Sequence, residues 1–200
     1  MSYIHVKRGI DVILSLVSLI LLSPLFIIIM MTIKLDSTGP FFFKQKRIGV
    51  HKSHFYIYKF RSMQVNAPKD QPTHLLKNAD SHITRVGKFL RKSSLDELPQ
   101  LINILKGDMS IIGPRPALWN QYDLITERDK YGANEIKPGL TGWAQINGRD
   151  ELLIEDKARL DGFYVNNYGI IIDILCFFKT IKSVFKREGI VEGSKIERLS

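Results

Sequence analysis

The chain has 200 residues, a formal net charge of +9 and a single cysteine, enough for one ordinary domain with a short appendage and no disulfide scaffold or thiolate metal cluster. The excess of 29 Lys and Arg over 20 Asp and Glu favours an anionic partner: nucleic acid, an acidic membrane leaflet or a phosphorylated substrate. Charge alone does not choose among these, but the placement of the apolar residues does.

Val12 to Ile33 carries no charged residue and, as one helix, reaches about 33 Å, enough for a bilayer core. The run is longer than a signal-peptide core, and its Met30-Met31-Thr32-Ile33-Lys34 exit has no small-residue cleavage site. Ser23-Pro24 interrupts it, and because proline removes a donor and clashes with the preceding turn, a strong bend is expected there. Physics alone leaves two arrangements open, a proline-kinked spanning helix and a re-entrant one that dips and returns. Lys7 and Arg8 before the run, with Lys34, Lys44, Lys46 and Arg47 after it, favour the re-entrant form, which puts every positive flank on the cytoplasmic side. Ser23 is placed to satisfy the carbonyl that the proline frees.

Gly39-Pro40 marks a turn, and Phe41-Phe42-Phe43 with His54 to Arg61 predicts a small hairpin. Its aromatics and cations suit either a surface at the lipid headgroups or a solvated edge strand. Residues from about 66 to 78 are polar and aperiodic, the pattern of a mobile surface loop or lid. Helical patterns follow at about 84 to 92, 96 to 106, 117 to 131, 151 to 167 and 170 to 187. In the last of these, Ile174, Phe177, Phe178, Ile181, Val184 and Phe185 oppose Lys179, Lys182 and Lys186. That pattern fits a helix lying in a membrane interface, and it also fits a core helix with a basic face. No internal repeat is visible.

Three segments carry chemistry. In Ser94-Leu95-Asp96-Glu97-Leu98-Pro99, Ser94 and Glu97 have capping-box spacing and Pro99 marks a helix start, so a plain helix cap is one reading. The other is a carboxylate pair at a helix N-terminus, where backbone N–H groups favour phosphate and a Mg²⁺ ion shared with phosphate oxygens would screen the repulsion. Gly107 to Pro116 reads as a rigid turn presenting Arg115 between two prolines, for bidentate phosphate contact or for a structural salt bridge. Lys137 to Arg149, with glycines at 139, 142 and 148, looks more like a ligand loop than a core strand, though ligand-free glycine turns share its pattern.

Taken in order, Lys7-Arg8-Gly9-Ile10-Asp11, Ser23-Pro24, Tyr58 to Met63, Ser94 to Gln100, Gly113 to Pro116 and Pro138 to Gln145 resemble the bacterial sugar transferase family. Its small monotopic members are phosphoglycosyl transferases that begin glycan assembly on undecaprenyl phosphate. The resemblance implies an α+β fold, mainly helical with a small hairpin and interfacial amphipathic helices. Residues 1–36 would form a re-entrant membrane helix broken at Ser23-Pro24 and fixed with the help of Lys7, Arg8 and Asp11. Residues 37–200 would form a catalytic domain on the cytoplasmic face of the bacterial inner membrane.

It further implies that Asp96 attacks the phosphate next to the sugar of a UDP-sugar and releases UMP, after which undecaprenyl phosphate takes the phosphosugar. By the same resemblance, Asp96 and Glu97 hold Mg²⁺, Glu97 alternatively handles a proton, Arg115 holds phosphate, and Lys59, Arg61, Arg149 and Asp161 are further substrate contacts. For Asp161 the ordinary alternative is a surface acid on a helix. The short chain resembles minimal members, which often take N-acetylated 6-deoxyamino sugars. The competing class is a basic peripheral membrane protein without chemistry. No zinc-ligand, basic-zipper or RNA-recognition motif supports nucleic acid as a partner, and neither a Walker A loop nor a Rossmann glycine pattern is present.

Overall fold

A computed structural model describes residues 3–71, 76, 79–148 and 152–186. Helix α1 (Tyr3–Leu21) and helix α2 (Ser23–Asp36) meet at a 62° bend. Pro24 has no N–H to offer the carbonyl of Ile20, and the Ser23 hydroxyl donates to that oxygen at 2.8 Å instead. The break therefore leaves no orphan acceptor at that position, as the Ser-Pro pair led us to expect. Among the described residues no single helix is long and apolar enough to cross a membrane.

Strands β1 (Phe42–Ile48) and β2 (His54–Phe60) form the expected antiparallel hairpin, in register from Phe42 opposite Phe60 to Ile48 opposite His54. Helices α3 (Ala79–His82) and α4 (Arg85–Lys92) follow. The pattern expected from about 96 to 106 splits into a tight 3₁₀ turn, Leu95–Glu97, and helix α5 (Gln100–Lys106), because Pro99 has no N–H for a continuous ladder. Strand β3 (Ser110–Ile112) and strand β4 (Gly139–Thr141) then pair in parallel, with Ser110 opposite Gly139.

That pairing gives two of the glycines between residues 137 and 149 a structural use. A Cβ on Gly139 would lie 2.1 Å from the Gly113 nitrogen, and one on Gly142 would lie 2.0 Å from the Gly113 oxygen, so these glycines admit neighbouring backbone. The helix expected from about 117 shortens to α6 (Tyr122–Asp129) because Ala117 accepts a hydrogen bond from the Ile48 N–H and stays beside β1. Helices α7 (Trp143–Ile146), α8 (Ile154–Asn166) and α9 (Ile170–Lys186) complete the described part.

Both helices of the apolar pair dock onto the remainder. Phe26, Ile29 and Ile33 of α2 share one buried cluster with Phe60 of β2 and Leu90 of α4. From α1, Lys7 pairs with Asp173 of α9, Arg8 donates to the Ile104 and Leu105 carbonyls at the end of α5 (2.5 and 2.9 Å), and Asp11 accepts from the Ile111 N–H of β3 at 3.0 Å. Asp173 also accepts from Tyr3 (2.6 Å) and Tyr164 (2.7 Å). Opposite these contacts, Ile13, Leu16, Ile20 and Leu21 of α1, Ile27, Ile28, Met31 and Leu35 of α2, and Ile174, Phe177, Phe178 and Ile181 of α9 are exposed. The inner side of α9 buries Ile172 and Cys176, so its apolar residues divide between core and surface. The side chains of Val184, Phe185 and Lys186, together with residues 72–75 and 77–78 of the expected loop, lie outside the described part.

Asp173, on α9, accepts from α1 and α8 and so ties three helices together. Replacing it with Ala leaves Lys7 buried beside unpaired hydroxyls, and the expected cost is about 3 kcal/mol. Thermal unfolding in lipid nanodiscs should show a drop of several degrees, smaller for Asp173→Asn, which keeps an acceptor.

Candidate active site

The site is built on the Leu95–Glu97 turn. Ser94, immediately before it, has φ +56° and ψ 14°, a left-handed conformation that costs a residue with a Cβ about 1 kcal/mol. Its side chain makes no capping hydrogen bond. The capping box suggested by Ser94 and Glu97 is thus not formed, and the Glu97 carboxylate is used elsewhere.

Lys59 of β2 donates to Glu97 Oε1 at 2.8 Å. Arg115 grips the same carboxylate with both guanidinium nitrogens, Nη1 reaching Oε2 at 3.1 Å and Nη2 pairing with Oε1. Burial by itself would push the Glu97 carboxyl up, but Arg115 and Lys59 together hold it well below the usual carboxylate range. Burial likewise lowers the Lys59 ammonium, against the pull of Glu97. The scaffold fixes each partner: the Asn103 side chain accepts from the Tyr58 N–H (2.9 Å) and donates to the Tyr56 carbonyl (2.8 Å), which locks β2 to α5. Arg47 of β1 donates to the Pro116 carbonyl at 2.9 Å, which holds the Arg115 turn against the hairpin.

Asp96 has the opposite environment. It is 6 % exposed, and its carboxylate accepts no hydrogen bond from the described residues. Burial pushes its pKa up to about 6, with Lys59 pulling down and Glu97 pushing up. It lines a cavity of about 380 Å³ together with Lys44, Arg47, Lys59, Lys69 and Arg91, a volume within the range of small-molecule sites. An under-solvated carboxylate facing a cationic cavity can accept an anionic ligand and can act on an electrophile within it. Glu97 and Arg115 instead face a second cavity, of about 220 Å³, on the other side of the turn.

The structure brings Asp96, Glu97, Lys59 and Arg115 together. Arg61 also lines the larger cavity, but its guanidinium donates to the Thr38 carbonyl (2.7 Å) and to the Ser37 carbonyl (2.7 Å) and hydroxyl (2.9 Å), closing the end of α2. Asp161 is fully buried and pairs with Arg128 Nε and Nη2 at 2.9 and 2.6 Å. This excludes the surface-acid alternative and makes the pair a tie between α6 and α8, away from both cavities. Arg149 lies outside the described residues. Sequence reasoning missed Arg91, five positions before Asp96 on α4, and took Arg47 for a membrane flank. In both cases the only signal was a basic residue beside another basic residue.

The described residues contain no group of three or more His, Cys, Asp or Glu that could hold a metal ion. Both Glu97 oxygens are engaged by cations, so Asp96 is the one carboxylate of the dyad without such partners. A single carboxylate suits Mg²⁺ only in the company of water and substrate phosphate oxygens.

The chain is thus mainly helical, with a bent apolar helix pair and an acidic dyad of which Asp96 faces a basic cavity. Residues 2–187 match the sequence profile of bacterial sugar transferases, and the chain belongs to that family. It is 39 % identical over 190 residues to the uncharacterised sugar transferase EpsL of Bacillus subtilis (strain 168), covering 95 % of this chain and 92 % of that one. It is also 39 % identical over 188 residues to the UDP-N-acetylgalactosamine-undecaprenyl-phosphate N-acetylgalactosaminephosphotransferase of Aeromonas hydrophila, covering 91 % of this chain and 44 % of that one. The undecaprenyl-phosphate galactose phosphotransferase of Salmonella typhimurium (strain LT2) is 39 % identical over 198 residues, with 92 % and 41 % covered. The chain thus spans less than half the length of these last two relatives.

The two carboxylates predict opposite stability effects. Glu97→Ala leaves Lys59 and Arg115 uncompensated and should cost about 3 kcal/mol. Asp96 is the reverse case, because its pKa is raised on folding. Below pH about 4 it is neutral in both states, and as pH rises towards 6 the unfolded chain ionises first and the fold loses stability. Asp96→Asn should therefore raise the melting temperature at pH 8, by an amount equivalent to about 1 to 3 kcal/mol, with the gain vanishing near pH 4.

Proposed function

We propose that this chain is a phosphoglycosyl transferase that moves a sugar-1-phosphate from a UDP-sugar to undecaprenyl phosphate, giving undecaprenyl-diphosphate-sugar and UMP. The observation that carries the reading is the contrast within the dyad: Glu97 is tied by two cations, whereas Asp96 is buried, accepts no side-chain hydrogen bond from the described residues and is turned to the basic cavity. The names of relatives that act on undecaprenyl phosphate support the same reaction class. Those names also carry different sugars, so family membership leaves the sugar open, and an N-acetylated 6-deoxyamino sugar stays a proposal drawn from the resemblance alone.

In the first step an Asp96 oxygen attacks the phosphorus next to the sugar. The phosphorus–oxygen bond to UMP breaks, UMP leaves with that electron pair, and a sugar-phosphoryl aspartate remains. An oxygen of the acceptor phosphate then attacks the same phosphorus, the bond to Asp96 breaks, and the carboxylate is regenerated. Lys59, Arg91 and Arg47 supply positive potential where phosphate charge gathers. Glu97 keeps Lys59 and Arg115 in place, so its contribution is to position cations. When bound, Mg²⁺ would be held by Asp96 and substrate phosphate oxygens, and it would supply further charge neutralisation.

The placement that suits this reaction is the cytoplasmic face of the bacterial inner membrane, with α1 and α2 entering and leaving one leaflet. If both arms enter symmetrically, the 62° bend slopes each by half that angle. The 14 residues of α2 then reach about 11 Å deep, short of the bilayer midplane. The outward apolar residues of α9 support an interfacial position for that helix.

Incubation with UDP-sugars in the absence of acceptor should place a phosphosugar on the peptide carrying Asp96, detected by mass spectrometry. Asp96→Asn should give neither adduct nor UMP, and an adduct on Glu97 would reverse the assigned roles. Because the ionised carboxylate is the nucleophile and its pKa lies at about 6, the rate of adduct formation should fall about tenfold per pH unit below 6 and level off above it. A rate independent of pH between 5 and 7 would contradict the assignment.

A further inference from the structure

Helix α4 carries a face that neither the core nor the Asp96 cavity uses. Residues 85, 88, 89 and 92 fall within about 100° of one another around a helix, and here they are Arg85, Lys88, Phe89 and Lys92. All four are exposed, Phe89 by 63 %. The opposite face buries Gly87 and Leu90, and Arg91 lines the cavity. Arg85, Lys88 and Lys92 form no ion pair with a described residue, and α4 contains no acidic side chain. A lone exposed ring is ordinary on a protein surface, as is a solvated basic face. The position of this face in the fold is what distinguishes it.

Asp36, the last residue of α2, accepts from the Val86 N–H at 3.1 Å, and Leu90 shares the buried cluster of Phe26, Ile29 and Ile33. The first turn of α4 is thereby fixed to the end of α2. A Cβ on Gly87 would lie 1.9 Å from the Ser62 carbonyl oxygen, so α4 also lies tightly against the chain leaving β2. On α2 the outward Ile27, Ile28, Met31 and Leu35 are exposed, and Leu35 is the neighbour of Asp36. The cationic face therefore begins where the apolar surface of α2 ends, in the order in which a leaflet presents acyl chains and then phosphates.

We infer that Arg85, Lys88 and Lys92 dock on the headgroups of anionic phospholipids, with Phe89 inserted beside their glycerol groups. The inference rests on the proposed entry of α1 and α2 into one leaflet. Guanidinium and ammonium groups donate to phosphodiester oxygens, and an aromatic ring favours the same interfacial depth. A zwitterionic lipid offers the same phosphate but cancels its charge, so three clustered cations with no acidic neighbour on their helix select the anionic leaflet. Arg91 lies on this helix and Asp96 four residues beyond its end. The lipid contact thus sets the height of the Asp96 cavity above the headgroups.

The test uses the full chain in nanodiscs of mixed phosphatidylcholine and phosphatidylglycerol, with a trace of either lipid carrying a photoactivatable group near its headgroup. The peptide carrying Phe89 should be labelled about fivefold more by the phosphatidylglycerol probe than by the phosphatidylcholine probe. At about 1 M salt, where the Debye length falls to about 3 Å, the two should reach parity. Changing Arg85→Gln, Lys88→Gln and Lys92→Gln together should abolish the preference, whereas Lys88→Arg with Lys92→Arg should keep it. Equal labelling by the two probes at low salt would overturn the inference. So would loss of labelling to millimolar inorganic phosphate at constant ionic strength, the mark of a site for free anions. A face that neither probe reaches would be one covered by protein, such as a second copy of the chain, and would equally sink the proposal. A probe with its reactive group in the acyl chain should label the peptide carrying Met31 whatever happens at α4, and its failure to do so would remove the leaflet placement itself.

Discussion

Glu97 is gripped by two cations at once, and that arrangement fixes the positions and charges of the surrounding groups. Lys59 comes from the hairpin, Glu97 from the 3₁₀ turn and Arg115 from the turn after β3, so three segments distant in sequence are tied at one carboxylate. Buried ion pairs seldom add net stability, because desolvation offsets the Coulombic gain, but breaking one strands a buried charge. Two cations around one anion also leave a net positive charge in poorly solvated surroundings. Ionised Asp96 balances it, which is why Lys59 and Arg115 pull its pKa down while burial drives it up. The outcome, about 6, leaves the carboxylate largely ionised at neutral pH while still poorly solvated, a state suited to a nucleophile.

The bent apolar helix pair is part of the same construction. Lys7, Arg8 and Asp11 reach α9, α5 and β3 respectively, and Phe26, Ile29 and Ile33 share a core with Phe60 and Leu90. Residues 3–36 therefore share a buried cluster with the remainder. Phe60 is next to Lys59 on β2, so the contact that seats α2 also seats the strand carrying one of the two cations on Glu97. Arg61 closes the other end of that contact by binding the last carbonyls around α2. A displacement of the helix pair would be felt at the ion pair, one residue from Phe60 and two from Arg61.

Local patterns in the sequence located most elements, because each rests on a local constraint. Pro24 forces the break, the paired aromatic runs give the hairpin, and α4, α8 and α9 follow their apolar periodicity. The parallel pairing of β3 with β4 was not legible, since three-residue strands leave no period and Gly139 and Gly142 look alike whether they admit a ligand or neighbouring backbone. At the site, Asp96, Glu97, Lys59 and Arg115 were readable as candidates, but not their division of labour. Nothing local says that Glu97 would leave its capping box for Lys59, 38 positions earlier. Arg61 and Asp161 were readable as polar residues in motifs, yet their burial and their partners at Ser37 and Arg128 depend on tertiary packing.

The division between the two carboxylates has a geometric origin in the turn itself. Successive side chains of a 3₁₀ turn point about 120° apart, so adjacent residues cannot face the same space. The left-handed Ser94 sets the direction in which the turn starts, and Pro99 prevents its continuation into α5. Leu95 consequently packs against the α2 cluster, Asp96 looks into the larger basic cavity, and Glu97 faces the cations and the smaller cleft. A continuous α-helix from residue 96 would rotate successive side chains by about 100° instead and would lack the abrupt reversal at Ser94. The left-handed Ser94 therefore goes with a turn that turns one carboxylate to the larger cavity while its neighbour anchors the charges around it.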